Sequence, residues 1–556
     1  DEGVEVTTDV LLPARHGRQV GRHRFRAVAL GDLRIAPREQ DRPAVARSGR
    51  GPASGSSGAG RRDQGLDPWR SFDLGAAGRP ASPAPGCPVG PTTARVGGRS
   101  RQPTTPSPDR TAGGRVREDP AGHRAGFRRC PVGNWRADRI ALREALSMGS
   151  QIRRYDPSID LDAVARIWTE VGWLESPDKK EALAGFLDAG HVEVATVDGD
   201  AECAAHWTAG SLRYQDRSLG LCAITGITTS HIGRKQGFAS DLTARALAQG
   251  AEAGHAVAML GMFEQGFYDR LGFGTGAEDH LCTFDPASLA VDHITYRVPE
   301  RIPLDANEEI QRAMARRAPA HGGVVLDPPG LFSAEIGLRD KVFALGYRDE
   351  DGELTHFLLG SLHDEHGPWD IGFLAYRSTA QLLELLRLLR ELSDQIRLVK
   401  LIEPAHIQLQ AMLREPMRAR WRSRGTANDT ATRALAWYQL RMLDVDACLS
   451  ARVWEGEPVR FNLTVEDPLA ERLDRPGPGV GGDYTVTIGA PSGATAGHTA
   501  GLPLLEAGVG ALSRLWFGVR PATVLDVTDD VSAPPDLLAR LDRAFSLPRP
   551  NLGWEF

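Results

Sequence analysis

Residues 221–273 run strand, loop, helix, strand and turn, and that order constrains the fold of this chain more than its composition does. LCAITGITTS (221–230) is a β-rich apolar run. HIGRKQGFAS follows it directly and leads into DLTARALAQGAEAG, whose apolar residues recur at helical spacing. The loop therefore opens a helix. Arg234-Lys235-Gln236-Gly237-Phe238-Ala239 places a glycine and a small residue where backbone N–H groups at a helix N-terminus can approach an anion closely, with two cationic side chains beside them. A pyrophosphate fits that description. AVAML (256–260) reads as a second buried strand, and GMFEQGFYDRLGFG leads into a short helix bearing Tyr268.

These residues resemble the GNAT acyltransferases, whose phosphate loop reads R/Q-x-x-G-x-G/A and is matched here by Arg234, Gly237 and Ala239. The resemblance implies acetyl-CoA, or another acyl-CoA, as donor. It would be held by Ile227, Thr228 and Thr229 of the strand and by Arg234, Lys235, Gln236, Gly237, Phe238 and Ala239 of the loop. Within that superfamily, the runs EQGFY (264–268) and RLGFG (270–274) look like the Eis group of aminoglycoside and lysine N-acetyltransferases, in which the Tyr is the general acid. The superfamily often has a Val and a Pro just before the loop; this chain has Thr229 and His231.

At 556 residues the chain is long enough for several domains, but its composition is uneven. Residues 1–147 contain no Lys, Met or Tyr, and their 26 Arg against 15 Asp plus Glu give a net charge of about +11, leaving about −17 on the remainder. That segment shows no sustained apolar periodicity and is expected to be disordered, or an extension upstream of Met148 that adds nothing to function; a basic arm for nucleic acid is the functional alternative. The acidic body favours polycations and disfavours nucleic acid as partners. Six cysteines, at 87, 130, 203, 222, 282 and 448, form no C-x-x-C pair, which suits a reducing compartment. With no run of about 18 apolar residues and no signal-peptide core, the expectation is a cytoplasmic protein without membrane association.

From Met148 onward, a short strand and the amphipathic LDAVARIWTEVGWL precede three alternating β runs broken by Asp-Gly and a polar turn, which predicts an antiparallel meander. The hairpin KVFALGYRDEDGELTHFLLGSL (341–362) and the strand-helix-strand run after it repeat the pattern, with Tyr376-Arg377-Ser378-Thr379-Ala380-Gln381 at the loop and no glycine. No cofactor is expected in that copy. The last segment reads as a helix, a small antiparallel sheet and closing helices. The fold class is α/β (α+β). Following the Eis resemblance, it consists of a catalytic GNAT domain (148–293), a degenerate second GNAT domain (294–435) and a sterol-carrier-protein-like domain (436–556) that acts as scaffold. The resemblance also implies a homohexamer, no metal, and a C-terminal strand threaded back so that the carboxylate of Phe556 is the general base.

Direct amine attack on a thioester asks for a proton donor to the leaving sulfur and an N–H for the oxyanion. Tyr268 is the candidate donor, or a core Tyr filling a turn. Trp168 and Trp173 offer aromatic faces to a cationic acceptor, or core packing. Glu264 contacts substrate or is a solvated turn residue, and His231 is a lone His before the loop. Three readings follow. The first is an N-acetyltransferase acting on an aminoglycoside-like, polyamine or lysine amine; the second is an acyltransferase using another acyl-CoA on a natural-product scaffold; the third is a non-catalytic acyl-CoA-binding protein.

Overall fold

The computed structural model describes residues 150–317, 320–362, 367–415, 430–473 and 479–554. The basic segment 1–147 lies outside the described residues. The first part of the chain forms β1 (Ser150–Arg154), α1 (Pro157–Glu170), α2 (Lys180–Asp188), β2 (His191–Val197), β3 (Asp200–Tyr214), β4 (Arg217–Thr229), α3 (Phe238–Glu252), β5 (Val257–Gly261), β6 (Gly274–Thr275) and β7 (Asp279–Phe284). Asp156 starts α1 by accepting from the Ser158 amide at 2.9 Å, with Pro157 in the first turn where its missing N–H costs nothing. β2 reverses into β3 through Asp198 (φ 52°) and Gly199 (φ 96°), the two successive left-handed residues that suit a tight hairpin. The predicted meander is present, with β1 to β4 antiparallel in order. Helices cover both faces of this sheet. His206 of β3 packs its ring on Phe186 of α2 at 4.5 Å, while on the opposite face the Trp207 indole donates to Gln249 of α3 at 2.9 Å.

The middle of the chain supplies β8 (Glu300–Arg301), α4 (Asn307–Ala315), β9 (Val324–Leu326), α5 (Pro329–Gly337), β10 (Val342–Arg348), β11 (Leu354–Leu362), β12 (Trp369–Ala375), α6 (Thr379–Glu391), β13 (Val399–Ile402) and β14 (Ala431–Leu435). This is the worn repeat: a hairpin, then a strand joined through a helix to a parallel partner. Its loop differs in kind from the first. Ser378 caps α6 by accepting from the Gln381 amide, and the Gln381 side chain in turn accepts from the Arg377 amide at 2.7 Å, so the helix start is satisfied from within.

The remainder forms β15 (Tyr438–Met442), α7 (Val445–Ser450), β16 (Val459–Glu466), β17 (Gly482–Ile488), β18 (Gly493–Ala496), β19 (Leu504–Gly508), α8 (Val509–Trp516), α9 (Ala522–Thr528), β20 (Val531–Ser532) and α10 (Pro535–Ala544). Strands β16 to β20 make a five-stranded sheet in the order β18-β17-β16-β19-β20. The other two sheets interleave. One runs β1-β2-β3-β4-β5-β15-β6 with β9 beside β3, and the second runs β14-β7-β13-β12-β11-β10-β8. Thus β7, from the segment expected to end at 293, lies in the second sheet. β15, from the segment expected to begin at 436, lies in the first, between β5 and β6.

Candidate active site

The site begins where β4 and β5 part. Their parallel ladder pairs Leu221 with Val257 through Ile224 with Leu260 and stops there, while β4 runs on to Thr229 bonded, among the described strands, to β3 alone. The register between β3 and β4 shifts at His206/Trp207, which leaves Thr225 as the extra residue of a β-bulge. The Thr225 hydroxyl is held by His206 Nδ1. Beyond the bulge, Ile227 and Thr229 are part-exposed and Thr228 is buried, its hydroxyl meeting no partner in the structure. The gap-facing backbone of β4 is thereby open to an extended, amide-bearing chain.

Residues 230–237 connect this strand to α3. The Ser230 amide donates to the Glu202 carbonyl at 2.9 Å, the Gly233 amide to the Ser230 hydroxyl at 3.0 Å, and the Gln236 side chain to the Ile232 carbonyl at 2.9 Å. At Gly233 a Cβ would stand 2.7 Å from the Glu202 carbonyl oxygen, so only glycine fits there. Lys235 (φ 67°) and Gly237 (φ 93°) turn the chain into α3, and no side chain caps the helix. Its first amides remain available, with Arg234, Lys235, Gln236 and Gly237 exposed around them. Phe238 differs: its ring is buried with Ala195, Cys203, Ala205 and Leu242, and Ala239 packs against that cluster. His231 sits outside the cradle, largely exposed, its amide bonded to Glu170 at 2.8 Å.

Tyr268 opens a 3₁₀ turn (Tyr268–Leu271) and is buried in the same apolar cluster as Ile224 and Leu260, the last paired residues before the strands separate. Its ring makes edge-on contacts to Phe267 at 4.8 Å, Phe263 at 5.8 Å and Phe273 at 5.9 Å. Burial pushes the phenol pKa upward, so the group stays protonated and is suited to donate. Glu264 is exposed in the preceding loop. Trp168 is a core residue, edge-on to Trp173 and to Phe186 at 5.3 Å each, whereas Trp173 is half-buried. Trp168 nevertheless reaches the site. A Cβ at Gly226, next to the bulge, would stand 3.6–3.8 Å from His206, Phe186 and Trp168.

Phe556 lies outside the described residues. The tail leading to it returns along the first sheet: the Leu552 carbonyl accepts from the Val324 amide of β9 at 3.0 Å and from Arg317 at 3.1 Å. Trp554 is buried edge-on against Phe373 at 5.3 Å. The Thr225–His206 pair was not singled out from sequence, because a bulge adds one residue without changing composition. Neither were Gln439 and Arg441 of β15, which reach the Tyr268 turn from 170 residues away. Among the described residues, no helix is long and apolar enough to cross a membrane, and no group of three or more His, Cys, Asp and Glu is placed to hold a metal ion.

Residues 151–276 match the family model of the acetyltransferase (GNAT) domain, and residues 445–553 match that of the sterol carrier protein domain. Among solved structures, a GCN5-related N-acetyltransferase from Anabaena variabilis ATCC 29413 is 15% identical, with a TM-score of 0.60 over 73% of this chain and 100% of its own. A second, from Kribbella flavida, is 19% identical, with a TM-score of 0.57 over 74% of this chain and 100% of its own. Eis1 from Mycobacterium abscessus is 20% identical, with a TM-score of 0.56 over 73% of this chain and 100% of its own. No curated protein matches the sequence.

Proposed function

We propose that this chain, in which a GNAT domain precedes a C-terminal sterol carrier protein domain, is an Eis-like acyltransferase that moves the acetyl group of acetyl-CoA to a primary amine of an aminoglycoside-like, polyamine or lysine acceptor. The observation that carries this reading is the parting of β4 from β5 with Tyr268 packed at the fork and an uncapped helix start at Gly237. In this reading the first amides of α3, with Arg234 and Lys235, bind the pyrophosphate, and the open edge of β4 past Thr225 binds the pantetheine amides. The amine attacks the thioester carbon, a C–N bond forms and the C–S bond breaks. Tyr268 gives its phenolic proton to the departing sulfur, and a β4 amide steadies the oxyanion. The terminal carboxylate of Phe556 takes the proton lost by the amine; the return of the tail to β9 and its buried Trp554 support that role. An acidic body of about −17 draws a polycationic acceptor. A homohexamer and a cytoplasmic setting belong to the same reading, the latter supported by the cysteines among the described residues, at 203, 222, 282 and 448, being free.

The test is CoA release by the untagged chain with acetyl-CoA and a panel of aminoglycosides, polyamines and lysine derivatives. Amine-dependent release is expected. Tyr268→Phe should lower kcat by about a hundredfold while acetyl-CoA binding is little changed, and an extension beyond Phe556 should depress turnover too. Full activity in the Phe variant ends the donor assignment, and full activity in the extended chain ends the carboxylate assignment. If acetyl-CoA does not bind at all, the whole reading fails.

A further inference from the structure

The turn that carries Tyr268 is held mainly by residues from beyond position 436. Gln439 of β15, fully buried, donates its side-chain amide to Asp269 at 2.6 Å and to Thr275 at 3.3 Å. Arg441, also fully buried, donates to the Leu271 carbonyl and is anchored to Asp467 at 2.8 Å, a pair with no solvent exposure to speak of at 0% and 1%. Asp467 is itself fixed by the Leu469 amide at 3.0 Å and the Val480 amide at 2.8 Å. Leu469 is buried in the same apolar cluster as Tyr268, Leu271 and Phe273. From the other side, α8 approaches backbone to backbone: a Cβ on Gly510 would stand 2.7 Å from the Phe273 carbonyl oxygen, and one on Gly272 would meet Val509 and Arg441.

We infer that the C-terminal domain is a clamp on the proton donor, with Gln439 and the Arg441–Asp467 pair as positioning residues that hold the Tyr268 phenol at the fork between β4 and β5. A one-turn 3₁₀ segment has too few internal hydrogen bonds to fix a ring within the tolerance that proton transfer demands. The buried donors of β15 supply that rigidity, and the domain carrying Asp467 and α8 fixes β15. A sterol-carrier fold is thus used as a mechanical support, independent of whether it binds lipid. The inference rests on the reading of Tyr268 as donor.

Removing Arg441 alone would leave Asp467 buried and uncompensated and is expected to unfold the region. Gln439→Met is the informative change. It removes the bonds to Asp269 and Thr275 together with a side-chain oxygen that is buried without a partner, so folding should be preserved. Asp269→Ala breaks the same bond from its exposed end. Each should lower kcat on the order of tenfold with KM for acetyl-CoA unchanged. The double variant should be no worse than either single, and the loss should vanish in a Tyr268→Phe background. Unchanged kcat in both variants, or the same loss persisting without the phenol, overturns the clamp. If Tyr268→Phe is itself fully active, the donor reading has failed, and amide hydrogen exchange across 268–273 decides the clamp alone. Faster exchange in Gln439→Met sustains it and unchanged exchange ends it.

Discussion

Tyr268 is kept protonated by burial, and the same force acts with opposite consequences on two other buried residues, Asp279 and His206. Burial pushes the pKa of Asp279 up to about 6, against the opposing pull of the Trp437 indole, which donates to one of its oxygens at 2.7 Å while the other meets no partner. His206 is buried beside Phe186 and its pKa is pushed down to about 3. The signs follow from which state holds the proton. Between about pH 4 and 6 folded Asp279 retains a proton that the unfolded chain releases, so its contribution to stability falls as pH rises through about 6. His206 does the reverse, since the unfolded chain gains a proton below about pH 6.5 that the folded chain refuses until about pH 3. Asp279→Asn, which keeps an acceptor for Trp437, is expected to stabilise the protein by about 2 kcal/mol at pH 7.5, an advantage that fades toward pH 4. Thermal melts of the two proteins across that range check it; a gap that does not shrink on acidification would mean the carboxyl is not held neutral.

The elements around the phosphate loop were legible in the sequence because their signals are local. Arg234 to Ala239 lie between an apolar run and a helical repeat, and the structure puts Gly237 at the turn into α3. The demand on Gly237 is conformational. At φ 93° any L-residue is strained by roughly 1–2 kcal/mol, although a Cβ there would meet nothing closer than Asp241 at 3.8 Å. Gly237→Ala is therefore expected to raise KM for acetyl-CoA about tenfold with kcat largely preserved, and initial rates over a range of acetyl-CoA will show it. Other features left no local trace. The bulge at Thr225 is one residue out of register, and the fork between β4 and β5 is a pairing that stops, which composition does not record. Trp168 looked alike as pocket wall or core until its contacts with Trp173 and Phe186 were seen. The C-terminal partners of the Tyr268 turn were hidden for the same reason, since only the folded chain brings Gln439 to Asp269.

In the whole molecule, β7 and β15 cross between what the sequence divides into successive segments, so a cut at 293 or at 435 breaks a sheet. A chain ending at 435 would leave β5 with a bare edge from Val257 to Gly261 where Tyr438–Met442 should pair. Such a fragment is expected to be insoluble or to fail to bind acyl-CoA, and supplying 436–556 in trans should restore soluble complex; size-exclusion chromatography of the co-expressed pieces checks both. The exchange also sets a timetable for synthesis. The edge of β5 leaves the ribosome roughly 180 residues before the strand that seals it, so the nascent chain carries an unsealed, aggregation-prone margin for about a third of its translation. Any message that stops early would yield no half-working enzyme, and activity begins only when the last domain has been made.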